Sequence, residues 1–320
     1  MSIKSTVTIG ILACLVSSFV MAAPLSSVVV FGDSLSDTGL AYNAILASRQ
    51  EMVPPPPYFE GRFSNGPVAV EVMAEQLGLP LQSLAYGGAK TGTANILNSG
   101  GDLDQTGVQD QIDRYIQGGL DPHALLVLWA GTNDLIISAN LTTVQTAVSN
   151  LALGLNKLAQ AGGRHFFLPA LPDLSAMPML LGRQRFHDLS VSFNTGLHEA
   201  AQTFLSTHPD VELQWFETPQ VLDGMKQSEA FAGGSVNQAC IAGDFYAVES
   251  VCAAPERFMF WDQTHFSATT HAALGVAFAA AVVPEPSSQT LYSLGLLVVM
   301  VTTLARSRQF GVKVRSRTAL

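Results

Sequence analysis

The sequence predicts a three-layer α/β/α fold, with helices covering both faces of a five-stranded parallel sheet. Three observations carry this. Short apolar runs alternate with longer segments of helical pattern between Ala23 and about Val283, as in successive β-α-β units. Hydrophobic residues make up 48% of the 320 residues and charged residues only 13%, so a large core can be buried and disorder is excluded. The alternation persists to the final helix without an internal repeat.

The elements follow in order. A first strand is expected over 27–31, running into Gly32-Asp33-Ser34. A helix over 67–77, stopped by Gly78, precedes a second strand over 82–85. A helix over 107–117 leads to a third strand over 124–129. A helix over 141–161, ended by Gly162-Gly163, leads to a fourth strand over 165–169. A helix over 185–206 precedes the fifth strand, 211–216. The last helix spans 267–281, with Ser267 as its N-cap. Pro54–Pro57 predicts a stiff extended loop, and 233–254, rich in glycine, alanine and polar residues, predicts a long loop. In such sheets ligands bind beyond the carboxyl ends of the strands.

Both ends of the chain read as targeting signals. Residues 1–22 carry Lys4, an apolar run from about Val7 to Val20 and small residues at Ala22 and Ala23. This is the pattern of a secretory signal peptide cut after Ala22, because Pro24 disfavours cutting after Ala23. At the other end, Pro284-Glu285-Pro286 precedes a polar spacer, an apolar stretch over 291–305, and then Arg306, Arg308, Lys313, Arg315 and Arg317. The apolar stretch is marginal in length for a bilayer span. This order resembles the PEP-CTERM sorting signal of Gram-negative bacteria. The resemblance implies processing by an exosortase, transient membrane anchoring through the apolar segment, and delivery to the envelope or cell surface; the alternative is an ordinary tail anchor. The expected division is a signal peptide over 1–22, one folded domain over 23–283, a sorting signal over 284–310 and a basic tail over 311–320.

Charge separates these ends from the body. Six of the 16 basic residues lie in the two ends, and with a cut after Pro286 all 25 acidic residues stay in the body, which then carries about −15. That charge argues against a nucleic-acid partner, which needs a basic face. Cys14 leaves with the signal peptide. Cys240 and Cys252 then form an even pair, which in an exported chain reads as one loop-closing disulfide. No CxxC motif or histidine-rich cluster suggests a metal, and no cofactor is implied. Gly101-Asp102-Leu103-Asp104-Gln105 lacks the later bidentate acid of a calcium loop and reads as a surface turn.

Four segments carry chemistry at the strand ends. Ser34 follows the first strand directly, where a serine is placed either as a nucleophile or as the N-cap of the helix expected after it. Tyr86-Gly87-Gly88-Ala89 follows the second strand, where a backbone without side chains can bring an N–H close to an anion. Gly131-Thr132-Asn133-Asp134 follows the third strand and places the Asn133 amide at the same edge. Asp262 and His265 stand three residues apart before the last helix, a spacing at which a carboxylate can fix an imidazole tautomer and leave the other nitrogen for a serine. The remaining histidines, His165, His187, His198, His208 and His271, read as structural or exposed, and Trp129 and Trp261 as core or site-wall aromatics.

"FGDSLSDTG", the glycine block, "GTND" and "FWDQTHFS", in this order, resemble the GDSL family of esterases and lipases, also called SGNH hydrolases. The resemblance covers nearly all of residues 26–283, and "PPPPYFEGRFSNGPVAVEVMAEQLGL" is similar to the lipase and acyltransferase branch. It implies a flavodoxin-like SGNH-hydrolase fold and a Ser34-His265-Asp262 triad. The oxyanion hole it implies comprises the backbone N–H groups of Ser34 and Gly88 and the side chain of Asn133. The chain departs at Phe266, where proline is usual, and at Ser83, where asparagine is common. The second departure leaves both Gly87 and Gly88 as candidate donors, with Gly88 on the family glycine by count from Ser83. A Gly-x-Ser-x-Gly elbow is absent, which excludes the α/β-hydrolase class. The expected function is an exported serine esterase or lipase acting on carboxylic esters through an acyl-enzyme. The alternatives are an O-acetyl esterase of envelope polysaccharide and an inactive surface or matrix protein.

Overall fold

A computed structural model of the protein describes residues 24–282. The expected signal peptide, sorting signal and basic tail lie outside the described residues. Five parallel strands form the central sheet: β1 (Ser27–Gly32), β2 (Leu81–Ser83), β3 (Ala124–Trp129), β4 (His165–Pro169) and β5 (Glu212–Phe216), in the order β2-β1-β3-β4-β5. Every residue of β3 is buried, as a central strand covered on both faces must be, whereas the edge strand β5 alternates exposed and part-buried positions.

The helices are α1 (Leu40–Arg49), α2 (Ala69–Leu77), α3 (Val108–Gln117), α4 (Thr132–Ile137), α5 (Leu141–Gln160), α6 (Gln184–Thr207), α7 (Thr218–Met225) and α8 (Ala268–Val282). α2 and α7 pack with α8 on one face of the sheet, and α3 and α6 pack with α5 on the other. α8 is anchored by Phe278, whose ring meets Trp129 of β3, Phe167 of β4 and Phe216 of β5 at centroid distances of 5.3, 5.2 and 4.8 Å. Truncating a buried phenylalanine such as this to alanine typically costs about 3–5 kcal/mol. This is the predicted three-layer α/β/α architecture, and its strand order reverses direction between β1 and β3, the point at which such sheets open a ligand crevice.

Three expectations need correction. The segment 233–254 is not a loop: it holds β6 (Ser235–Ala239), which pairs with β9 (Phe258–Phe260), and an antiparallel hairpin of β7 (Ile241–Gly243) and β8 (Val248–Val251). These strands are only three to five residues long and mostly polar or small, so they leave no apolar alternation to read. Cys240 and Cys252 are disulfide-bonded across this hairpin. The proline run is not extended; it folds into turns, with the Tyr58 N–H donating to the Pro55 carbonyl at 3.1 Å and cis bonds before Pro54 and Pro57. Finally, no helix follows Ser34 directly. α1 begins only at Leu40, and Ser34 sits in a turn rather than at an N-cap.

Candidate active site

The corner after β1 is fixed by the backbone on one side and a carboxylate on the other. Gly32 must be glycine, because a Cβ there would stand 2.5 Å from the Trp129 carbonyl of the neighbouring strand. Its N–H and C=O are both held by the fully buried Gln111 side chain of α3, each at 2.9 Å. The chain then turns: the Ser36 N–H donates to the Asp33 carbonyl at 3.0 Å and the Leu35 N–H to Asp33 Oδ1 at 3.1 Å. Ser34 stands at the apex of that turn.

Asp37 locks the turn to its surroundings. Its carboxylate accepts from the Gly39, Leu40, Ala41 and Gly87 N–H groups at 2.6–3.1 Å, capping α1 and tying down the glycine block in one step. Burial pushes its carboxyl up to about 6 while the four donors oppose the rise, so it is largely ionised at pH 7. Ser83, the departure in the glycine block, donates to the Ser36 carbonyl at 2.9 Å and so joins β2 to the same turn.

Ser34 Oγ lies 2.9 Å from His265 Nε2, and His265 Nδ1 lies 2.7 Å from Asp262 Oδ2. All three residues are buried. Asp262 Oδ1 accepts the Thr264 and His265 N–H groups, both at 2.7 Å, so the short Asp-x-x-His turn is closed on its own carboxylate. Burial alone would raise the Asp262 carboxyl. The charge of His265 and the hydrogen bonds from His265, Tyr58 and Thr264 outweigh it and hold the group below the usual carboxylate range. A carboxylate held ionised here fixes the imidazole with Nδ1 as donor and leaves Nε2 to take the serine proton.

Two candidate donors line the same cleft as Ser34. Asn133 opens α4 and spends one Nδ2 hydrogen on the Ala89 carbonyl at 2.9 Å, leaving the other toward the cleft. Asp134 beside it accepts from the Thr91 N–H and hydroxyl at 2.9 and 3.0 Å, which pins the glycine block against α4. Of the two candidate glycines, the Gly87 N–H is committed to Asp37 at 2.7 Å, whereas the Gly88 N–H has no partner among the described residues and Gly88 lines the cleft. Gly88 holds φ +78°, and a Cβ would meet Asn95 Oδ1 at 2.5 Å, so glycine is required.

The cleft over Ser34 has a volume of about 160 Å³, and its walls are apolar: Phe63, Ile96, Leu97, Ile136, Met179 and Phe245. The Phe63 and Phe245 rings stand 5.0 and 5.8 Å from the His265 ring. The arrangement can deprotonate a serine, present it to an apolar ester and hold an anion beside it.

The family model for GDSL-like lipase/acylhydrolase matches residues 28–278. The chain belongs to the GDSL-like lipase/acylhydrolase family. As a family member it is a carboxylic ester hydrolase. Among its relatives are a phosphatidylcholine-sterol acyltransferase of Aeromonas hydrophila, 26% identical and covering 83% of this chain and 92% of the relative, and a thermolabile hemolysin of Vibrio parahaemolyticus, 30% identical and covering 77% of this chain and 61% of the relative. A solved structure of a family two carbohydrate esterase from Clostridium thermocellum is 17% identical, with a TM-score of 0.47, and covers 82% of this chain and 65% of that one.

The structure brings the four segments of this candidate site together from β1, β2, β3 and the approach to α8. Sequence reasoning missed the cleft walls and Tyr58, whose hydroxyl donates to Asp262 Oδ2 at 2.6 Å from 204 positions away. The likeness of 54–79 to the lipase branch marked the segment but assigned no residue in it. His271 accepts the Ala69 N–H at 3.1 Å, fully buried, and joins α8 to α2, a structural place as expected.

Proposed function

We propose that this GDSL-family protein hydrolyses carboxylic esters with apolar acyl chains through an acyl-enzyme on Ser34. The observation that carries the reading is the unbroken relay from Asp262 through His265 to Ser34 at the base of an apolar cleft. His265 Nε2 takes the Ser34 proton as Oγ attacks the ester carbonyl, and Asp262 holds the resulting imidazolium. The oxyanion receives the N–H groups of Ser34 and Gly88 and the Asn133 amide, each worth about 2.7–4 kcal/mol in the transition state. Collapse expels the alcohol, which takes the proton from His265. A water then attacks the acyl-enzyme with His265 again as base, releasing the acid and the serine.

The substrate reading is a lipid or simple carboxylic ester. The apolar walls support it, as does the relative named phosphatidylcholine-sterol acyltransferase. Ser34→Ala is expected to leave a folded protein with no turnover of p-nitrophenyl esters. Appreciable turnover by that variant overturns the mechanism. Faster cleavage of acetylated sugars than of acyl esters overturns the substrate.

We also propose that the chain is exported, cut after Ala22, and sorted to the envelope or surface by an exosortase acting near Pro284-Glu285-Pro286, with the apolar segment as a transient membrane anchor. The support is the order of Pro-Glu-Pro, apolar stretch and basic residues. Intact-mass measurement of protein from a Gram-negative host tests this: mature chains are expected to lack the residues beyond about Pro286, and retention of 306–320 shows a plain tail anchor.

A further inference from the structure

Asp262 carries four hydrogen bonds, and their origin is uneven. Three come from within its own turn: the Thr264 N–H, the His265 N–H and His265 Nδ1. The fourth, from Tyr58, comes from a distant segment. That segment grips the Asp-x-x-His turn at two further points, through Ser64 Oγ donating to the Phe266 carbonyl at 3.0 Å and Asn65 Oδ1 accepting the Ala268 N–H at 2.7 Å. The Tyr58 ring is buried edge-on against Trp261, 5.9 Å between centroids, in a cluster with Cys240 and Ile241. The Trp261 carbonyl in turn accepts the Cys240 and Ile241 N–H groups at 3.1 and 2.9 Å. The hydroxyl is therefore aimed from a fixed platform.

We propose that Tyr58 is a positioning residue of the triad, whose hydroxyl holds Asp262 Oδ2 in the place from which it orients the His265 imidazole. The inference rests on the catalytic reading of Ser34, Asp262 and His265. A neutral donor fits this place. It satisfies the second lone pair of Oδ2 without adding a charge that would compete with the imidazolium, and it prevents the carboxylate from rotating away when His265 is neutral. Burial and the neighbouring Asp262 charge push the phenol well above its ordinary value, so the group remains a donor throughout the working range. Around this pair the titratable groups are Asp33 and His271, which face His265, and Asp244, which faces Tyr58. None of these three donates a hydrogen bond to Asp262.

The test is Tyr58→Phe in the full chain, which keeps the ring against Trp261 and deletes only the hydroxyl. The expected result is kcat lowered about tenfold on p-nitrophenyl butyrate with KM nearly unchanged, the loss that follows from one hydrogen bond to a charged group. The acidic limb of the kcat/KM profile is expected to move to higher pH, because Oδ2 no longer shares its charge with a second donor. A structural role would not move that limb. In an Asp262→Asn background, Tyr58→Phe is expected to cost nothing further, whereas a structural role costs the same factor in both backgrounds. An unchanged kcat and pH profile, equal losses in the two backgrounds, or a Tyr58→Phe protein that fails to fold each overturns the positioning role. Ser34→Ala measured alongside separates the two readings. Turnover by that variant overturns the triad and this inference with it, while its inactivity beside an unaltered Tyr58→Phe overturns only the role of Tyr58.

Discussion

Asp33→Asn is expected to make the protein more stable at pH 8 than the parent, although it alters the residue next to the proposed nucleophile. Asp33 is buried, only Oδ1 finds a donor, the Leu35 N–H, and Oδ2 has no partner among the described residues. Burial pushes its carboxyl from 3.8 up to about 7, with the Leu35 N–H and the His265 charge opposing the rise. An acid whose folded value is raised binds more protons in the native state. Its contribution is fully present below the unfolded value and is lost as pH rises through the folded one. Between pH 4 and 7 the parent should therefore lose stability on this account, reaching a plateau above 7. The interval from 3.8 to about 7 corresponds to about 4 kcal/mol as an upper bound. Local relaxation and water entry reduce the measurable difference to about 2 kcal/mol. Asparagine keeps the Oδ1 acceptor and carries no charge at any pH. The assay is urea unfolding of parent and variant from pH 4.5 to 8.5, reading the difference between the two so that other groups cancel. A difference that does not change with pH, or one that grows in favour of the parent as pH rises, refutes the reasoning.

Three further outcomes are expected. Asn133→Ala should lower kcat about 10²–10³-fold with little change in KM, measured on short-chain p-nitrophenyl esters. The Cys240→Ala/Cys252→Ala double variant should lose about 3 kcal/mol in urea unfolding, from the short loop it reopens. Because Tyr58 and Trp261 share the cluster with that disulfide, it should also lose activity beyond what its folded fraction explains. Met179→Ala, at the partly exposed edge of the cleft, should shift preference toward longer acyl chains by about 1 kcal/mol in kcat/KM, read from a chain-length series.

What the sequence revealed was governed by local periodicity and short-range motifs. β3 and β4 were legible to the residue because buried parallel strands are short apolar runs bounded by turn residues, and the N-cap Ser267 does accept the Thr270 N–H at 3.3 Å. Ser34, Asn133, Asp262 and His265 were legible because each sits within a few residues of a strand end or helix start. The start of α1 was not legible: it is set by the Asp37 carboxylate and a left-handed Gly39, and only Ala41 and Ile45 of its ten residues are buried. The β7–β8 hairpin was hidden by its brevity and polarity. Tyr58, Phe63 and Phe245 reach the site through contacts between segments far apart in the chain, and such contacts leave no periodic trace in either segment. Pro54–Pro57 misled because proline stiffness constrains each residue without saying which way the run turns.

The distance along the chain between Ser34 and His265 has a consequence for when the protein becomes reactive. The two residues are separated by 231 positions, and His265 stands just before α8, which docks against α2 and across β3, β4 and β5 through Phe278. A ribosome delivers Ser34 231 positions before His265, so on the proposed mechanism a chain not yet made as far as His265 carries an unactivated hydroxyl. On the proposed mechanism, docking of α8 beside the Asp-x-x-His turn is expected to arm it. On the proposed mechanism a chain ending before α8 is expected to be inert toward esters, which an assay of such truncations on p-nitrophenyl esters checks.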